Sequence, residues 1–256
     1  MFIKPTALMY VPIVMAYSVL IEERVGVGSL LRREATAWAA VVRVIRTFAA
    51  QGVVLGALFW VTMVMTPESW DPGGASRWRY LITQPWVMLR YFWTFFLPVG
   101  LSADTDWRPF LNVANPRFAL GMLFVGLSLV LAAWASNRDR SRPIAWGIIW
   151  FFVALIPSSS VIPLAEVTND HRMFFPFVGL VLAVCWAAFL GLWSIRQNIA
   201  ESRLLRVGLV TVVVGILVGN ALGVRARNEV WSSPESLWAD VVTKSRSEEH
   251  TSELQS

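Results

Sequence analysis

The sequence predicts an all-α, polytopic helical membrane protein: about six transmembrane helices, a re-entrant or interfacial helix, and the start of a soluble helical region at the C-terminus. Three observations carry that expectation. Of 256 residues, 56% are hydrophobic and 15% charged, whereas soluble domains carry roughly a quarter charged residues. Several apolar runs approach the roughly 20 residues needed to cross a hydrocarbon core about 30 Å thick. Arginines collect in three connections between those runs and are scarce in the short loop opposite.

Phe2 to Ile21 is the first expected span, with Pro12 inside it as an expected kink. No cleavable signal peptide is expected, because Met1-Phe-Ile-Lys4-Pro5 runs straight into that stretch. Glu22 to Arg46 is a charged connection. Its Arg43 and Arg46, three apart on one helix face, suit an interfacial helix whose arginines reach lipid headgroups. Phe48 to Met65 is the second span.

Thr66 to Arg117 is long and mixed. Its apolar stretch Trp86 to Leu97 lies between Pro85 and Pro98 and contains Arg90. Twelve residues make a helix about 18 Å long, so interfacial or re-entrant placement is expected. The aromatics Trp70, Trp78, Tyr80, Trp86, Tyr91, Trp93 and Trp107 suit an interfacial belt. Phe118 to Trp134 is the third span, Ile144 to Ile156 a short fourth, Phe174 to Ile195 a fifth, and Val207 to Val224 a sixth. The single cysteine, Cys185, excludes an intrachain disulfide and is expected as a small buried hydrophobe.

Parity orients these spans. If Trp86–Leu97 does not cross, then Glu22–Arg46, Ala135–Arg142 and Arg196–Arg206 share one side, with five, three and three arginines. Positive charge beside helix ends marks the cytoplasm, which places Pro157 to Met173 outside. After Val224 the chain turns soluble in character. Ser233 reads as an N-cap, Pro234 as the first helical residue, and Glu235 as a first-turn acid.

The polar, proline-bounded loop from Pro157 to Pro176 holds the densest chemistry. Glu166, Asn169, Asp170, His171 and Arg172 fall within seven positions at a helix entrance. Ionisable groups at a membrane boundary point to a functional site; a solvated loop whose Arg172 touches lipid phosphate is the alternative. Ser158 to Ser160 are expected to satisfy backbone groups where the helix breaks at Pro157. Asp104, Asp106, Glu166, Asp170 and His171 lack metal-ligand spacing, so no metal is expected. Nor is there a nucleophile elbow, a phosphate-binding glycine loop or a nucleic-acid module.

Three stretches together resemble the membrane part of transmembrane and tetratricopeptide-repeat (TPR) O-mannosyltransferase-like proteins, of the GT-C glycosyltransferase class. They are Tyr80-Leu-Ile-Thr83-Gln84-Pro through Asp104, Ile156-Pro157-Ser-Ser-Ser-Val-Ile-Pro163 through Gly179, and Trp231-Ser-Ser-Pro-Glu-Ser-Leu237-Trp238-Ala-Asp240. Relatives often carry Glu-Arg with a Tyr where this chain has His171-Arg172 and Phe174, so no tyrosine hydroxyl role is expected. The resemblance implies transfer of a sugar from a polyprenyl-phosphate carrier to a hydroxyl of a protein or glycan acceptor, at the outer face of the bilayer, without a cofactor. It implies His171 and Arg172 as partners of the donor phosphate, with Arg90 and Gln84 as supporting donors. The family's acidic residues lie in a first outer loop expected ahead of Met1, which leaves Asp104, Asp106 and Glu166 as fallback carboxylates. A membrane anchor presenting a TPR array to protein partners is the competing expectation, with an O-antigen ligase, polymerase or transporter as a third.

The expected organisation is therefore a transmembrane domain over residues 1–224 and the start of a TPR-like helical region over 225–245. Residues 246–256 resemble an in-frame translation of a sequencing adapter. That segment has one arginine and three glutamates, so the remainder carries +7 where the whole chain carries +5.

Overall fold

A computed structural model describes residues 8–65, 76–103, 105, 107–161, 167–168 and 172–253. Among them the chain is helical, without strands. Four helical segments are long and apolar enough to cross a membrane: Pro116–Ser136, Asp139–Ser159, Phe174–Ser194 and Arg203–Val230. A bent pair makes a possible fifth.

Helix α1 (Tyr10–Tyr17) carries Pro12 in its first turn, where a missing N–H costs little. It passes into a π-helical turn over Ser18–Glu22. Helices α2 (Val27–Leu31) and α3 (Ala35–Thr47) form the charged connection. Ala37, Ala40 and Val44 give α3 its buried stripe. Arg43 binds Glu23 at 2.6 Å across the turn. Helix α4 (Ala49–Met65) follows at 57° to α3, so the second expected span is half of a bent pair.

Helix α5 (Arg77–Phe96) differs most from expectation. It begins at the N-cap Ser76, which accepts from the Arg79 N–H, and runs straight through Pro85. Tertiary packing explains the extension. Tyr80, Thr83, Gln84, Val87, Tyr91 and Thr94 repeat at helical spacing and form one buried face. Beside Pro85, Gly121 admits the α5 backbone so closely that an added Cβ would lie 2.4 Å from the Pro85 carbonyl carbon.

Helix α6 (Pro116–Ser136) starts with proline at its first position behind an Asn115 cap. Helix α7 (Arg142–Ile156) continues as a π-helical turn through Pro157–Val161, the irregular extension expected there. Helix α8 (Phe174–Ser194) returns against α7. Their crossing is set by two glycines: a Cβ on Gly147 would meet the Gly179 carbonyl oxygen at 2.4 Å, and one on Gly179 would meet that of Gly147 at 2.5 Å. Lipid offers apolar helices no hydrophobic gain on association, so close backbone contact through small residues holds them together. Cys185 lies on the exposed side of α8, not in the core. An apolar helix in lipid has no need to bury every apolar side chain.

A short helix α9 (Arg196–Glu201) leads into α10 (Arg203–Val230), which is continuous through Val224 and Arg225. Helix α11 (Pro234–Glu253) begins as the sequence predicts, with Ser233 Oγ accepting from the Ser236 N–H at 3.2 Å. Asp240 then locks α11 to its neighbours, accepting from Arg227 of α10 at 2.8 Å and from Lys244 at 2.7 Å. Lys244 also donates to the Leu101 carbonyl, which joins α11 to the loop after α5.

Partial burial raises the Asp240 carboxyl, but the Lys244 and Arg227 donors outweigh it and hold the group below its ordinary value. A carboxyl held low when folded stabilises the fold above its unfolded pKa, and that contribution disappears as pH falls through the folded value. Amide exchange in α11, corrected for intrinsic rate, should therefore accelerate as pH drops through and below the usual carboxylate range. Asp240→Asn should accelerate it about tenfold at neutral pH, equivalent to about 1.4 kcal/mol. Exchange indifferent to both changes would show that the cluster does not hold α11.

Candidate functional site

Helix α5 is 20 residues long, about 30 Å, yet its neighbours crowd one end of the bundle. Phe92 meets Phe124 of α6, and Phe95 meets Phe177 of α8. Tyr80 donates its hydroxyl to the Ser158 carbonyl just past α7. Val87 and Tyr91 pack with Phe151, Leu155 and Leu180. These partners all lie within about 12 Å of the adjoining helix ends, counted at 1.5 Å per residue. The partners of α5 are therefore gathered at that one end of the bundle.

Two loops close over it. The segment after α5 returns so that the Phe110 N–H donates to Thr83 Oγ1 at 2.8 Å, while that hydroxyl donates to the Arg79 carbonyl. From the other loop, Val167 and Met173 bury themselves against Val87 and Tyr91. The loops are joined directly by a 2.8 Å hydrogen bond between the Thr105 and Thr168 hydroxyls. Ser158 Oγ donates to the Leu155 carbonyl at 3.3 Å, the backbone-satisfying role expected of the serines after Pro157.

Beneath these loops sit polar groups without hydrogen-bond partners among the described residues. Gln84 is 2% exposed, and both atoms of its amide lack a hydrogen bond. An orphaned buried amide costs about 1–3 kcal/mol, so it marks a place where something other than packing is served. The Nε of Arg90 is likewise buried and unbonded, while its guanidinium lies 4.6 Å from the centre of the Trp107 ring. An aromatic face attracts a cation electrostatically, more strongly where water is excluded. Arg172 is half-buried just ahead of α8, with no hydrogen bond or ion pair among the described residues.

Of the residues predicted for the site, Gln84, Arg90 and Arg172 are on elements of this one end. Asp104, Asp106, Glu166 and His171 lie outside the described residues, as do Asn169 and Asp170. Thr105, between the two aspartates in sequence, and Thr168 make the contact between the loops. The expected aromatic belt divides. Trp78 and Trp93 are exposed, but Tyr80 and Tyr91 are core residues and Trp107 covers Arg90. Tyr80, Thr83, Thr105 and Thr168 build this end of the bundle, although none of them was expected as a site residue. The spacing of Tyr80, Thr83, Gln84 and Val87 is the one local signal that points to them.

Arginine guanidinium groups and an amide, screened from water by two loops, can bind an anionic group and donate hydrogen bonds to it. Among the described residues no three His, Cys, Asp or Glu side chains gather as metal ligands. Comparison with protein-family models, curated proteins and solved structures finds no match to this chain.

Proposed function

We propose that the chain is part of an integral membrane glycosyltransferase that moves a sugar from a polyprenyl-phosphate carrier to an acceptor hydroxyl at the outer face. In that reaction the bond from the sugar's anomeric carbon to the phosphate oxygen breaks, and the electron pair leaves with the phosphate. The acceptor oxygen bonds to the same carbon, and its proton passes to a carboxylate. Arg172 and His171 balance charge on the departing phosphate, and Arg90 and Gln84 supply further donors. Asp104, Asp106 and Glu166 are the carboxylates of this chain that could take the proton. The proposal includes six spans, with α5 lying in the outer interface and the arginine-rich turns in the cytoplasm of a bacterial inner membrane.

The observation that carries this reading is the buried Gln84 amide, without a hydrogen bond among the described residues, on the same helix as the buried Arg90 Nε and at the end where the loops join through Thr105 and Thr168. Arg172→Ala in the intact protein is expected to abolish sugar transfer from a polyprenyl-phosphate donor while membrane insertion is unchanged. Undiminished turnover would remove Arg172 from the site.

One feature favours a second reading, a membrane anchor that displays helical repeats to partner proteins. Helix α11 is fastened through Asp240 and Lys244 to the same end as the two loops, while Trp231 and Trp238 remain more than half exposed. The anchor reading predicts no transfer activity with any lipid-linked sugar.

A further inference from the structure

The opposite end of the bundle holds a second feature, independent of the first. A cavity of about 460 Å³ opens between the π-helical turn after α1, the short helix α2 and the α6–α7 connection. Arg24, Arg32 and Arg142 line it together with Ser29 and Asn137, and among the described residues no carboxylate is in the lining. Its wall is built from hydrogen bonds. The Val27 N–H donates to Ser136 Oγ at 2.9 Å, and the Gly28 N–H donates to Asn137 Oδ1 at 2.7 Å. Gly26 and Gly28 are required by this closeness, because a Cβ on either would lie 2.6 Å from Asn137 Oδ1. Arg24 is held at φ 55°, a left-handed conformation that side-chain-bearing residues rarely adopt.

The cations retain unused donors. Arg142 is anchored by its Nε to the Ser136 carbonyl at 3.1 Å and by Nη1 to Asp139 at 3.0 Å. Arg32 spends its Nε on Glu34 at 2.9 Å. A guanidinium has five N–H donors in a planar fork suited to phosphate, so both keep donors for a ligand. Asp139 is mostly solvent-facing and Glu34 is partly so, and they neutralise part of the charge while Arg24 adds to it.

The depth of the cavity identifies the source of the anion. It lies where two apolar membrane-length segments end, beside Trp134, whose ring is 3.9 Å from the Arg138 guanidinium, and Trp186, which donates to the Arg140 carbonyl at 2.7 Å. Tryptophan at helix ends marks headgroup level. We propose that this cavity binds the headgroup phosphate of an anionic phospholipid, with Arg24 and Arg32 as its exposed clamps and Arg142 as its anchored base.

Native mass spectrometry of the full chain tests this, with titrations of phosphatidylglycerol, phosphatidylcholine and inorganic phosphate. Phosphatidylglycerol should bind at least tenfold more tightly than phosphatidylcholine. That preference should fall below about twofold in Arg24→Gln/Arg32→Gln and persist in Arg225→Gln, which changes an exposed cation elsewhere. Ser29→Asp, which adds negative charge without removing an arginine, should weaken the preference likewise and guards against misfolding of the double variant. Equal binding of the two lipids, or a preference that survives both the double variant and Ser29→Asp, would overturn the proposal. So would inorganic phosphate bound as tightly as phosphatidylglycerol, which would make this a site for soluble phosphate.

Discussion

Gly179→Leu should prevent α7 and α8 from docking and destabilise the protein by about 3 kcal/mol or more. The position has no slack: an added Cβ would lie 2.5 Å from the Gly147 carbonyl oxygen, 2.8 Å from the Trp150 Cβ and 2.9 Å from the Phe151 amide nitrogen. Two of those three atoms are backbone, so relief requires the helices to separate. Separation would also expose Ala154 and Leu155, which have no solvent exposure, and would undo the cluster on which Val167 and Met173 rest. A control is available on the same helix. Gly191 has nothing within 4 Å of its Cβ position, so Gly191→Leu should change stability by no more than about 0.5 kcal/mol. Thermal unfolding of the purified variants in detergent measures both. Equal stability of the two would mean that the glycine contact does not hold the pair together.

The second large effect concerns activity, and it runs against stability. Gln84→Met keeps the volume of the side chain and removes an amide that has no hydrogen bond among the described residues. Leaving that amide buried costs about 1–3 kcal/mol, so the variant should be more stable by about 1 kcal/mol. If Gln84 donates to the sugar-phosphate donor as proposed, transfer should fall at least tenfold at the same time. A residue kept only for packing would leave transfer unchanged in the same variant.

How far the chain reveals itself depends on what its signals have to resolve. The long apolar helices α6, α8 and α10 are visible because uninterrupted hydrophobicity over about 20 residues has few soluble explanations. The cap at Ser233 is visible because serine, proline and acid in that order satisfy a helix N-terminus locally. Helix α5 is another matter. Pro85 reads as a boundary, yet the helix passes through it because Gly121 admits the backbone there and the buried face continues on both sides. A stripe of Tyr80, Thr83, Gln84 and Val87 within a Trp-rich segment fits an interfacial helix as well as a core one, and periodicity alone does not separate them.

The sequence offers candidate cations and an amide for a site, but not the way in which they are brought together. Arg172 stands out as a cation beside an apolar run, whereas Arg90 and Gln84 enter as donors through the family resemblance. The Thr105–Thr168 bond that gathers their loops joins residues 63 apart, and no local pattern marks either threonine. Cys185 misleads for a related reason. Burial among apolar residues is the expectation for cysteine in a soluble core, but in an apolar helix against lipid the outward face is equally apolar.

Disulfide trapping of Thr105→Cys/Thr168→Cys, with Cys185 replaced by alanine, goes directly to the junction of the two loops. Their hydroxyls lie 2.8 Å apart, so mild oxidation should bridge the pair nearly completely, while Thr105→Cys with Ser194→Cys, at the far end of α8, should stay reduced. Thiols at 105 and 168 that remain free, or that react with an impermeant reagent only from opposite sides of the membrane, would contradict the shared end on which the proposed site is built.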